Sequence, residues 1–129
     1  RLVGSEMCIR DRSKSRKISG TLIGGKIPRI TEVQGIPIEA NFFTNMLYVR
    51  NYDKPGFIGS IGTLLAEKDI NIASFHLGRR ENSGEAVALI AVDQKVNKMI
   101  IESISNLEHV VRVDGMNFCI SKNTLFILF

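Results

Sequence analysis

Asn51-Tyr52-Asp53-Lys54-Pro55-Gly56-Phe57-Ile58-Gly59 is the stretch on which the fold turns. The apolar run Met46-Leu47-Tyr48-Val49-Arg50 ends just before it and reads as a strand. An amphipathic helix begins just after it. Pro55 suits a first helical turn, where its missing N–H costs nothing. Asp53 suits the cap of that turn, near the positive end of the helix dipole. Gly56 and Gly59 leave backbone amides uncovered and open to a small polar ligand. The junction has the parts of a carboxylate or amino-acid cradle. Taken alone, it is more often simply a well-made helix start.

Downstream, Phe57, Ile58, Ile61, Leu64 and Leu65 recur at spacings that put them on one helix face. Gly59 and Gly62 weaken this helix relative to alanine, so they are expected to serve close packing against a neighbouring strand or chain. Lys68-Asp69 ends it. Ile70 to Arg80 reads as the next strand, with Ile70, Ile72, Ser74 and His76 on one face and Asn71, Ala73, Phe75 and Leu77 on the other. Glu81-Asn82-Ser83-Gly84 is a hairpin turn. Glu85 to Val92 is almost wholly apolar, as a strand covered on both faces should be. Asp93 is placed to start a second helix, with Val96, Ile100, Ile104 and Leu107 as its apolar stripe. Glu108-His109 ends that helix, and Val110 to Phe118 is the last strand.

This order predicts an α+β fold: a ferredoxin-like βαββαβ sandwich, an antiparallel sheet with two helices on one face. The first and third strands are placed at its centre, side by side and parallel, with the second and fourth at the edges. The other face and the second-strand edge then need cover. Ala73, Phe75 and Leu77 suit a partner subunit there. Upstream, Lys17–Ile23, Ile27–Val33 and Ile36–Ala40 read as a short β meander with turns at Gly24-Gly25 and Gln34-Gly35. Such a meander cannot bury much surface by itself.

The junction has company: Ile70-Asn71-Ile72-Ala73, Leu77-Gly78-Arg79 and Gly84-Glu85-Ala86 follow it. Together these segments resemble the C-terminal ACT regulatory domain of the D-3-phosphoglycerate dehydrogenases, the first enzymes of serine synthesis, over about Arg16 to Phe118. The resemblance implies an effector site between two ACT domains whose second-strand edges pair. One chain supplies the strand–helix loop, and the start of the second strand reaches across from the other. Asn51, Asp53 and Asn71 hold those positions here, with Gly56, Phe57 and Ile58 supplying backbone N–H groups. The implied ligand is L-serine or another small amino acid: Asp53 suits its ammonium, and the backbone amides its carboxylate. The resemblance also implies NAD in the full-length enzyme, handled by upstream dehydrogenase domains. This chain carries no Rossmann fingerprint, so no cofactor is expected within it.

Four segments follow from this reading. Residues 1–12 resemble translated adapter read-through and are taken as a non-native leader, which would make the chain a C-terminal fragment. Residues 13–43 resemble the last strands of the intervening, substrate-binding-like domain that precedes ACT in the longer enzymes. There Arg16, Lys17, Lys26 and Arg29 could form an anion site, although a solvated basic face is the commoner outcome. Residues 45–118 are the ACT domain. Residues 119–129 have no obvious place, and their apolar Thr124 to Phe129 is an aggregation hazard if exposed.

Charge and composition exclude several functions. The chain of 129 residues carries a net +4. Residues 1–29 hold eight Lys/Arg against Glu6 and Asp11, a net of +6, so the remainder carries −2. A mildly acidic core argues against nucleic acid. No apolar run is long enough to span a bilayer as a helix. Cys8 and Cys119 give neither a disulfide framework nor metal-ligand spacing, and a reducing cytoplasm is expected. His76 and His109 have no neighbours that read as a triad, so no catalytic residue is expected. Two other functions share the topology. One is a structural dimerisation domain with a vestigial pocket. The other is an RNA-binding module, for which the central strands offer Tyr48 but no further stacking aromatic.

Overall fold

The computed structural model describes residues 6–11, 14–23, 27–33, 35–41, 43, 45–81, 84–121 and 124–128, with side chains at 29–33, 35–41, 43, 45–81 and 84–116. The strands are β1 (Glu6–Asp11), β2 (Lys14–Ile23), β3 (Ile27–Val33), β4 (Ile36–Asn41), β5 (Asn45–Tyr52), β6 (Ile72–Arg79), β7 (Glu85–Val92), β8 (Val110–Ser121) and β9 (Thr124–Leu128). The helices are α1 (Phe57–Glu67) and α2 (Lys98–Ser105). The strands form two sheets, β1-β2-β3-β4 and β6-β7-β5-β8-β9. From β5 to β8 the order is the βαββαβ sandwich that the sequence implies. No helix among the described residues is long and apolar enough to cross a membrane.

β5 and β7 are the central strands, and they run antiparallel, not parallel as the sequence reading had it. The reason is the hairpin. α1 returns the chain so that β6 points the same way as β5, and the turn after Arg79 then reverses β7. β8 is not a bare edge either. Its far end pairs with β9, from Asn117↔Leu128 to Ser121↔Thr124, so the apolar tail segment forms a strand hairpin. The segment Glu6–Asp11, taken as leader, pairs with β2 at the edge of the other sheet.

β5 and β7 are apolar throughout because both of their faces are covered. Leu47, Val49, Ala88, Ile90 and Val92 face the helices and share one core with Phe57, Ile61, Leu65 and Ile104. Met46, Tyr48, Val87, Leu89 and Ala91 face the meander and share a second core with Ile30, Val33, Ile36, Ile38 and Ala40. β4 alternates buried and exposed residues along its length, the signature of a strand lying on a core. The meander therefore covers the sheet face that was left open for a partner. At Gly78 the two layers come so close that a Cβ would sit 2.8 Å from Ile36 Cγ2 and 2.8 Å from the Pro37 carbonyl oxygen.

Several local expectations change. α1 starts at Phe57, later than expected. Pro55 and Gly56 form the turn before it, and Gly56 is the cap residue, with φ 93. A side chain at that φ is strained, so glycine is required. Ile58 is 56% exposed and leaves the apolar face. Among the described residues nothing lies within 4 Å of a Cβ built at Gly59 or Gly62, so neither packs closely against a strand of its own chain. α2 is capped by Asn97, whose Oδ1 accepts from Ile100 N–H at 2.9 Å; Asp93 does not start it. Its stripe holds, with Val96 and Leu107 packing from just outside its ends. Ala73 is an extra residue in β6, where the register slips between Ile72 and Ser74. This bulge flips the alternation. Ile72, Phe75 and Leu77 therefore all pack toward the helices, and the apolar set assigned to a partner is largely used within the chain.

Candidate functional site

β5 leaves the sheet at Asn51 and Tyr52, beside the far end of β6. Ala86 of β7 pairs with Asn51 on one side and with Arg79 on the other. Asn51, Ala86 and Arg79 thus form a row across three strands, on the helix-facing side. Ala86 itself is fully buried between the outer two. The loop above is held in place: Asp53 N–H donates to Gly84 O at 2.8 Å, and Lys54 N–H donates to Tyr52 O at 2.8 Å. This gives Gly84 a task beyond the hairpin turn, because its carbonyl fixes where Asp53 stands.

Loop, helix start and strand end enclose a cleft of about 340 Å³ lined by Asn51, Asp53, Lys54, Pro55, Gly56, Phe57, Ile58, Leu77 and Arg79. The first N–H groups of α1 have no intrahelical acceptor. Gly56 has no side chain to cap them. Asn51 is 2% exposed. Its Nδ2 donates to Tyr52 O at 2.9 Å, which fixes the amide orientation. Its Oδ1 is buried and accepts no hydrogen bond among the described residues. A buried acceptor left unmade costs about 1–3 kcal/mol, so a donor belongs there.

Asp53 does not cap α1. Its Oδ2 pairs with Arg79 Nε at 3.2 Å, with the side chains 33% and 71% exposed. A pair this wet is worth under about 1 kcal/mol and yields readily to a competitor.

Of the six expected effector residues, Asn51, Asp53, Gly56, Phe57 and Ile58 line this one cleft. Asn71 does not. It precedes β6, whose length puts the two ends about 25 Å apart. There its Nδ2 donates to Asp93 Oδ2 at 2.8 Å. Arg79 and Leu77 were not named as site residues. Strand order could have found them: the end of the second strand must lie beside the end of the third strand's start, and hence near Asn51.

For the expected anion site, the side chains of Arg16, Lys17 and Lys26 lie outside the described residues. Arg29 Nη2 lies 3.6 Å from Glu39 Oε2, and its Nε is buried with no acceptor among the described residues. A different cationic cluster lines a cavity of about 230 Å³ where the meander meets the sheet, among Ile36, Tyr48, Arg50, Arg80, Glu85, Val87 and Arg112. Arg50 Nη2 donates to both oxygens of Glu85 at 2.8 Å, and Arg112 Nε donates to Asp114 Oδ2 at 3.0 Å. The hydrogen bond from Arg50 holds the Glu85 carboxyl below its usual range.

Residues 45–109 match the profile of the ACT domain family. The chain belongs to the ACT domain family. This ACT chain is 30% identical over 114 residues to the D-3-phosphoglycerate dehydrogenase of Bacillus subtilis, covering 85% of this chain and 22% of that protein. It is 34% identical over 118 residues to the enzyme of that name from Methanocaldococcus jannaschii, covering 88% of this chain and 22% of that protein. It is 27% identical over 109 residues to the probable L-serine dehydratase beta chain of Bacillus subtilis, covering 84% of this chain and 50% of that protein. The dehydrogenase matches fall at the C-terminal part of those proteins and extend over more of the chain than the ACT domain profile does.

Proposed function

We propose that the chain is the regulatory module of a D-3-phosphoglycerate dehydrogenase and that the cleft beside Asp53 binds a small amino acid, L-serine first. The observation that carries this is a cleft that brings together Asp53, the open N-terminus of α1 and Asn51, whose buried Oδ1 has no donor among the described residues. An ammonium supplies the missing donor, with Asp53 as its counter-charge. A carboxylate fits the free N–H groups at the helix start. The name of one relative, an L-serine dehydratase chain, supports serine as the ligand.

On this reading two copies pair through their β6 edges. Asn71, at the opposite end of β6, would then reach the cleft of the second copy. Regulation requires that serine bind the active and inhibited arrangements with different affinity. The dehydrogenase step and its NAD belong to residues outside this chain. Among the described residues every strand pair is antiparallel, unlike the parallel strand–loop–helix unit that holds such a dinucleotide. We place the module in the cytoplasm.

Calorimetric titration of the intact protein with L-serine tests the reading. Saturable heat is expected, and Asp53→Ala should weaken binding by roughly tenfold or more while the fold and assembly survive. No heat at millimolar serine from a folded protein would sink it. One observation favours a purely structural domain: Asp53 already has a cation partner in Arg79. A wild type that stays folded and assembled but binds no serine would favour that alternative. An RNA platform has little support, since Tyr48, its stacking aromatic, is 3% exposed beneath the meander.

A further inference from the structure

The charged side chains lining the cleft are Asp53, Lys54 and Arg79, one acid against two bases. The helix start adds positive potential on the same side. A ligand that brought only an ammonium would satisfy Asp53 and Asn51 but leave this excess positive potential unanswered. Arg79 is the base placed to answer a carboxylate. It stands in the same strand row as Asn51, with Ala86 between them, so the two backbones are about 10 Å apart by ordinary strand spacing. Both residues line the one cleft, which suits one small zwitterion between a short side chain and a long one. Arg79 approaches Asp53 through Nε, at 3.2 Å, so the outer edge of its guanidinium is the part left to a ligand. Its side chain is mostly exposed, so turning toward a ligand strips little water from it. A guanidinium edge matches a carboxylate with two parallel N–H donors, which a lysine in its place does not.

We propose that Arg79 is a specificity-determining residue of the cleft: its Nε steadies Asp53 against the ligand ammonium while its Nη edge takes the ligand carboxylate, so the cleft selects free α-amino acids over amines and amino-acid amides. This rests on the reading that a small amino acid occupies the cleft. It adds a side-chain donor where the sequence offered only backbone amides.

Titration of the intact protein with L-serine and with L-serinamide, which lacks the carboxylate, tests it. The wild type should prefer L-serine by roughly 10- to 100-fold. Arg79→Gln should lose most of that preference, by weakening L-serine while changing L-serinamide less than about twofold. Arg79→Lys should fall between, because it keeps the charge but not the fork. Thermal melts of both variants should match the wild type, given how exposed Arg79 is. Wild-type preference retained in Arg79→Gln would overturn the role of Arg79 and leave the amino-acid site standing. Equal weakening of both ligands would also overturn it, showing that Arg79 only positions Asp53. A wild type that binds neither ligand would remove the amino-acid site itself, and this inference with it.

Discussion

The helix-covered and meander-covered faces of the central sheet are equally dry, yet they are closed by different means. On one face, Phe57, Ile61, Leu65 and Ile104 reach down from helices. The layer there is thick, and it is filled by side chains that can shift. On the other, Ile36, Ile38 and Ala40 lie flat on the sheet from a strand, close enough that Gly78 touches backbone. The helix face tolerates irregularity at its rim, where the loop from β5 lifts away and opens the cleft. The meander face has no such slack at Gly78, and the smaller cavity at its rim is lined by charges already paired within the chain, Arg50 with Glu85 and Arg112 with Asp114. The contrast suggests why the candidate effector site lies on the side of the helices.

Breaking each face in turn sharpens this contrast. Ile61→Ala and Ile30→Ala each delete a fully buried side chain, one per face, and each should cost about 2–5 kcal/mol in urea unfolding. If the meander is integral to the domain, both variants will show one transition at lower denaturant with an unchanged slope. A separate early transition in Ile30→Ala would mean that the meander opens on its own. Gly78→Ala should come next, at about 1–3 kcal/mol, because the Pro37 carbonyl cannot step aside as a side-chain tip can. Gly59→Ala on the helix side is its control: with nothing in the chain near that Cβ, helix stability should rise slightly. The smallest effect should be the Arg50–Glu85 pair. Glu85 has a lowered folded pKa, so its contribution is whole above the ordinary value of 4.5 and fades as pH falls through the lowered one. Glu85→Gln should flatten the acid limb of stability against pH between those values, and an unaltered limb would show that the pair carries no weight.

Much of the helix face was legible in the sequence, because a 3.6-residue period writes itself into the positions of Ile61, Leu65, Ile100 and Ile104. The meander face was half legible. The strands were found, but an alternating run such as Ile36 to Ala40 does not say which surface it will cover. The flip of Ile72 onto the side of Phe75 was hidden, since a one-residue bulge leaves no mark in the period. At the cleft, the Pro55-Gly56 pair marked the turn, while Asn51 and Asp53 were singled out by the family resemblance, and turn chemistry miscast Asp53 as the helix cap. Arg79 was missed because its place depends on strand register, which local sequence does not carry, and an arginine at a strand end reads as solvated surface.

Asn51 has a last consequence. Leucine is close to asparagine in size, and an apolar group there would leave no oxygen without a donor. By packing alone the site would be better filled that way. If the proposed solute does occupy the cleft, the stability given up at Asn51 while it is empty is what its arrival would restore.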